Sequence, residues 1–165
     1  MKKLYLIFIF LTFFVAIISG TANAQNSKPG GSMFLLSFGK GPVDARLYSN
    51  YFCGACKSLE PTVEYLIADL VKRDIITITF IDVPKDAASV MYSRYFLYIL
   101  NVRKDINHAL KARSALFEAA SQHITDKDKL EAFLTSKGFK FKQFDPKPVF
   151  NTLQTYLTTD QIRAT

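Results

Sequence analysis

Residues 43–57 constrain this chain more than any other stretch. Val43, Ala45 and Leu47 alternate with Asp44, Arg46 and Tyr48, the period-two pattern of a strand. A cysteine pair, Cys53-Gly54-Ala55-Cys56, then opens a helical pattern that runs to about residue 71, with Leu59, Val63, Leu66, Ile67 and Leu70 on one stripe. Residues 75–81, IITITFI, form a strongly β-branched strand that Pro84 ends. Strand, helix and strand at this spacing predict a parallel pair joined by a right-handed crossover. The chain of 165 residues has room for one such domain and hardly a second.

Helices dominate the chain beyond Pro84. Residues 89–100 are rich in Tyr, Phe and Leu, and 105–121 carry Ile106, Ala109, Leu110, Leu116, Phe117 and Ala120 at helical spacing. Thr125 reads as an N-cap with Asp128 at the capping-box position, and Gly138 lies past that helix's end. Asp145-Pro146 reads as cap and first turn of a helix through Leu157, with Val149, Phe150, Leu153 and Leu157 inward. Upstream, 33–38 is a short apolar run expected as an edge strand, after a polar Gly/Pro linker that begins at residue 25.

The C-x-x-C has a specific physical use at a strand-to-helix junction. Cys53 at the helix N-terminus meets unpaired backbone N–H groups and the positive end of the helix dipole, which favour a thiolate. Cys56, one turn in, is placed to resolve a mixed disulfide and is expected to be too buried to react first. Gly54 and Ala55 are small, leaving the sulfur open to a partner chain. Other uses of the pair fit less well. A purely structural bridge would close four residues and contribute only about 2 kcal/mol. Haem attachment needs a histidine where Lys57 stands. Metal binding needs further ligands, and His108 and His123, the only histidines, read as helix-surface residues outside any metal-spaced cluster. No cofactor or metal is therefore expected.

The segment from Tyr48 to Lys57, YSNYFCGACK, resembles the active-site segment of thioredoxin-fold proteins, and Phe52-Cys53 is similar to the DsbA-like periplasmic branch. Pro61, five residues past Cys56, stands where that family kinks this helix, and 86–137 resembles its helical insertion. The resemblance covers 43–165. It implies an α/β fold with a βαβ core, Cys53 and Cys56 as catalytic thiols, and Phe52, Gly54, Ala55 and Pro61 as supporting residues. It further implies cysteine-containing exported proteins as substrates and a membrane redox partner that resets the pair. Two departures stand out. Where the family often places a buried carboxylate, six residues before the first cysteine, this chain has Leu47; Glu60 and Glu64 are expected as solvated helix residues. Ile162-Arg163-Ala164-Thr165 resembles the residues just before the family's cis-proline, so the C-terminal strands are expected to be missing. A non-catalytic binding module and an inactive truncated copy both stay open beside the oxidoreductase.

The first 24 residues read as an address. Lys2 and Lys3 precede an apolar run over 4–18, interrupted only by Tyr5 and Thr12, and Ala22-Asn23-Ala24 comes next as a cleavage site. The run is shorter than the roughly 20 residues that span a bilayer. Cleavage near Ala24 would release the chain to the periplasm or beyond, where disulfides persist. Removing the two lysines from a formal charge of +7 leaves +5. The interleaved Lys137-Gly138-Phe139-Lys140-Phe141-Lys142-Gln143-Phe144 is read as a connecting segment with its Phe side chains on the core, and no nucleic-acid partner is expected. Tyr92, Tyr95, Phe96 and Tyr98 are read as core and rim of their helix. Oligomeric state has no sequence signal.

Overall fold

The structure, a computed structural model, describes residues 36–162. The leader with its cleavage site, the linker, the start of the expected edge strand at 33–35, and Arg163, Ala164 and Thr165 lie outside the described residues.

A three-stranded sheet organises the chain, in the order β1–β3–β2. β2 (Val43–Ser49) and β3 (Ile76–Asp82) pair in parallel from Val43 opposite Ile76 to Ser49 opposite Asp82. β1 (Ser37–Gly39) lies antiparallel on the far side of β3. The β-branched run is thus the central strand, which explains why it reads as nearly continuous apolar sequence. The outer edge of β2 pairs with no strand among the described residues, and none succeeds the last helix there. Gly41 makes the β1–β2 passage possible. A Cβ there would stand 2.1 Å from the Ile75 carbonyl carbon and the Ile76 nitrogen.

The crossover helix, α1 (Gly54–Lys72), buries Ile67 and Val71 but leaves Leu59 and Leu66 more than half exposed. The expected stripe is therefore rotated. The inward face instead carries Glu60, a charged residue that the sequence pattern assigns to solvent. Four more helices complete the chain: α2 (Ala87–Leu100), α3 (Ile106–Ser121), α4 (Lys127–Ser136) and α5 (Lys147–Thr159). None of the described helices is long and apolar enough to cross a membrane.

Their starts arise from carboxylate caps. Asp86 accepts from the Ser89 N–H at 2.8 Å, with Ser89 completing a capping box, and Asp105 accepts from the His108 N–H at 2.8 Å. Asp126, not Thr125, caps α4 by accepting from Lys129 N–H at 3.0 Å, because a carboxylate is the better acceptor for a positive helix end. Asp145 acts one residue early, accepting from Lys147 N–H at 3.0 Å, while Pro146 itself is the boundary residue of α5. Gly138 takes a φ of +83° just past α4, where a left-handed residue closes the helix.

The core gathers Phe80 and Ile81 from β3, Tyr92, Phe96, Ile99 and Leu100 from α2, and Ala109, Leu116 and Phe117 from α3. The basic–aromatic run folds back onto it. Phe139 is buried, and the Phe141 and Phe144 rings sit 5.4 and 5.8 Å from those of Tyr95 and Tyr98. Tyr92, Tyr95 and Phe96 are core and Tyr98 is rim.

Candidate active site

The end of β2 turns into α1 through a hydrogen-bonded corner. Asn50 donates from Nδ2 to the Val83 carbonyl at 2.7 Å, accepts from Phe52 N–H on Oδ1 at 2.8 Å, and accepts from Cys53 N–H on its own carbonyl at 3.0 Å. Val83 N–H closes the loop on the Ser49 carbonyl at 2.8 Å. One buried side chain thus fixes the C-x-x-C against both core strands. Tyr51 packs its ring 5.1 Å from Phe117, and Phe52, partly exposed, sets its edge on Tyr92 at 4.9 Å.

Cys53 is the N-cap of α1. It has an extended backbone, and its sulfur accepts from the Cys56 N–H at 3.4 Å. Both cysteines are thiols here, and both are half-buried. Cys56 is therefore less deeply buried than the spacing suggests, since one helical turn does not carry it beneath the surface. Their surroundings nevertheless separate the two. The Cys56 thiol, its backbone N–H and that of Ala55, and the Lys85 cation hold Cys53 below the ordinary thiol range. Burial first, and then the neighbouring Cys53, push Cys56 up, while the Asn50 backbone and the Arg113 cation pull it partly back. Pro61 lies inside α1 and has no N–H to give the Lys57 carbonyl. Gly54 has no atom within 4 Å of where a Cβ would stand, so the space outside the motif is open.

One turn past Cys56 lies a buried polar cluster. Arg113 of α3, fully buried, gives two parallel hydrogen bonds to Glu60, Nε to Oε1 at 2.8 Å and Nη2 to Oε2 at 2.9 Å. Both of its terminal nitrogens also reach Ser49 Oγ at 3.2 Å, and its guanidinium lies 4.8 Å from the Phe80 ring centre. Asp82, buried at the end of β3, is pushed up to about 6 by desolvation, which the Arg113 cation, Ser93 and Tyr51 only partly offset. Asp82 Oδ1 and the Tyr51 hydroxyl have no hydrogen-bond partner among the described residues. Glu60 is thus a buried partner and not a solvated residue, and Glu64 is half-buried with its carboxyl raised by that burial and by Glu60. Leu47 is half-buried on β2.

No protein-family model matches the chain, and no curated protein does. Solved structures do match. A candidate protein-disulfide isomerase from Pseudomonas syringae superposes with a TM-score of 0.66 at 12% identity, over 81% of this chain and 84% of that one. Wolbachia pipientis alpha-DsbA1 does so with 0.58 at 14% identity, over 78% and 70%. Pseudomonas aeruginosa DsbA2 gives 0.54 at 13% identity, over 78% and 75%. The fold is DsbA-like. In this DsbA-like arrangement α2, α3 and α4 are the helical insertion, and α3 leans its buried face on the helix that begins with the cysteines.

The insertion also places two residues differently from the sequence pattern. His123 is not on a helix surface. It sits just past α3 with a φ of +54° and lines a 230 Å³ hollow with Phe52, Cys53, Gly54 and Lys57. His108 is half-buried in the first turn of α3, with its ring 5.5 Å from Phe139. Phe52, Gly54, Ala55 and the two cysteines are brought together by the corner, while Pro61 lies further along α1, lining a separate cavity beside Glu60 and Glu64. Arg113 escapes the sequence reading altogether. Its signal is a charge among Ala109, Leu116, Phe117 and Ala120 on one helical face.

Proposed function

We propose that this chain is an exported thiol–disulfide oxidoreductase, with Cys53 as nucleophile and Cys56 as resolving thiol. The observation that carries the reading is the asymmetry of the pair. Cys53 caps α1 with its sulfur on a backbone N–H and is held low, while Cys56 is held high, on a DsbA-like fold. In the oxidising direction a substrate thiolate attacks the Cys53 sulfur of the closed disulfide, and Cys56 leaves as a thiolate. A second substrate thiolate then attacks the mixed disulfide and releases Cys53. Two electrons pass from the substrate dithiol to the protein, and no cofactor takes part. A thiolate favoured at Cys53 stabilises the reduced pair and biases flow toward oxidising the substrate. The partners this chemistry calls for are cysteine-containing exported proteins and a membrane redox protein that restores the disulfide. Periplasmic or secreted localisation rests on the leader pattern of residues 1–24.

The test is a redox titration in glutathione buffers, with thiols counted by alkylation and mass. A reversible two-electron transition above roughly −300 mV supports the proposal. Cys53→Ser should abolish exchange, and Cys56→Ser should accumulate mixed disulfides. A disulfide that never opens, or exchange that survives in Cys53→Ser, would overturn the assignment.

A further inference from the structure

The hollow beside Cys53 has a charge of its own. Lys57 lines it from α1 and His123 from the end of α3, together with Phe52 and Cys53. Lys85, in the loop after β3, adds its positive charge at the Cys53 sulfur. Lys57 and His123, far apart in sequence, thus line one hollow with Cys53, and Lys85 adds its field at the sulfur. None of the three makes an ion pair among the described residues.

The carboxylates that could neutralise them are engaged elsewhere or stand apart. Asp86 caps α2 through Ser89. Glu60 is held by Arg113 and Glu118 by Lys137. Glu64 lines the neighbouring 420 Å³ cavity, which shares Lys57 and Ser121 with the hollow but not Cys53. The lining of the hollow therefore carries Lys57 and His123 and no carboxylate, while Glu60, Glu64 and Glu118 line the adjoining cavity.

We propose that this collar makes the site selective for disulfides and thiols with a carboxylate close to the reacting sulfur, meaning protein segments with Asp or Glu beside the cysteine. The inference rests on the oxidoreductase reading and adds a substrate class to it. The carboxylate would sit in the hollow facing Lys57 and His123 as the partner sulfur meets Cys53. A basic segment in the same position would bring like charges together. For unit charges about 4 Å apart in a solvent-filled site, one such contact is worth roughly a fivefold change in rate.

The test uses the folded protein and two small probes of opposite charge, 3,3′-dithiodipropionate and cystamine. Cys53 thiolate attacks the probe disulfide, breaking its S–S bond and releasing one probe thiolate. Cys56 then displaces the second, so the protein dithiol is oxidised as the probe is reduced to two thiols. The readout is the ratio of the two second-order rate constants. That ratio cancels any change in Cys53 thiolate fraction, since it enters both rates equally. Comparison with the wild type cancels the probes' intrinsic reactivities. The ratio should fall about fivefold in Lys57→Gln. It should be kept in Lys57→Arg, and in the wild type it should fall between low and high salt. A ratio unmoved by Lys57→Gln and by salt overturns the collar while leaving the oxidoreductase intact. Failure of the wild type to exchange with either probe sinks both readings.

Discussion

Arg113 and Glu60 give the sharpest test of how this fold is held together at its working end. The guanidinium is fully buried, donates to both Glu60 oxygens and to Ser49, and lies over Phe80. Removing Arg113 leaves the Glu60 carboxylate in an apolar interior with no cation beside it. The loss of one partner of a buried pair costs about 3–5 kcal/mol, whereas replacing both by apolar groups is often neutral. Against a total of about 5–15 kcal/mol for a domain, the single loss is a large fraction. Arg113→Met should therefore lower the melting temperature by roughly 10–15 °C. Arg113→Met/Glu60→Leu should recover most of that. The assay is urea and thermal unfolding of the reduced protein, monitored by circular dichroism, with the slope m checked for constancy. A single variant within about 1 kcal/mol of wild type, or a double variant as unstable as the single, would refute the argument that an unpaired buried charge dominates here.

Three further outcomes are expected. Cys53 is held below the ordinary thiol range and Cys56 above it, so alkylation of the reduced protein near neutral pH should label one thiol per chain, at Cys53; equal labelling of both sulfurs would contradict the asymmetry. The Asp82 carboxyl sits at about 6 against an ordinary 3.8, so the folded state holds its proton more tightly than the unfolded chain. Its contribution to stability is therefore full below about pH 4 and lost as pH rises to about 6, a change of up to roughly 3 kcal/mol. Asp82→Asn should remove that slope, measured as the difference between variant and wild-type unfolding free energies from pH 4 to 7; parallel curves would count against it. Gly41→Ala should cost roughly 1–3 kcal/mol or more, because its methyl meets backbone at 2.1 Å, whereas Gly54→Ala should leave stability unchanged or slightly higher; chemical denaturation that ranked them the other way would be decisive against this packing.

Much of the fold is legible because its elements obey local periods. The alternation from Val43 to Ser49 and the β-branched run behind Ile76 mark the parallel pair. The helical patterns past Pro84 lie where helices form, but the caps do not follow from them: Asp86 and Asp105 start α2 and α3 without a sequence reading, and Asp126 takes the place read for Thr125. The rotation of α1 is not legible. Leu59 and Leu66 read as core by spacing, yet the helix presents Glu60 and Ile67 inward because Arg113, 53 residues away, supplies the partner that makes a buried carboxylate tolerable. A periodicity argument counts apolar residues and cannot see such a partner. The same holds for His123, whose place beside Cys53 depends on how α3 ends and not on anything adjacent in sequence.

The buried charges also tie the two halves of the molecule together. Cys56 and Glu60 are one turn apart on the same face of α1. Arg113 comes from the helical insertion and reaches both, by direct bonds to Glu60 and by its field at Cys56. Ser49 and Asp82 bring the ends of the two parallel strands to the same place, Ser49 through a hydrogen bond from Arg113 and Asp82 through its field. An apolar residue at 113 would pack against Phe80 and Phe117 as well or better, but it would leave Glu60 uncompensated and remove a cation that steadies the Cys56 thiolate. Docking of α3 on α1 therefore runs through one side chain, whose field also reaches the Cys56 thiol, behind burial and the neighbouring Cys53.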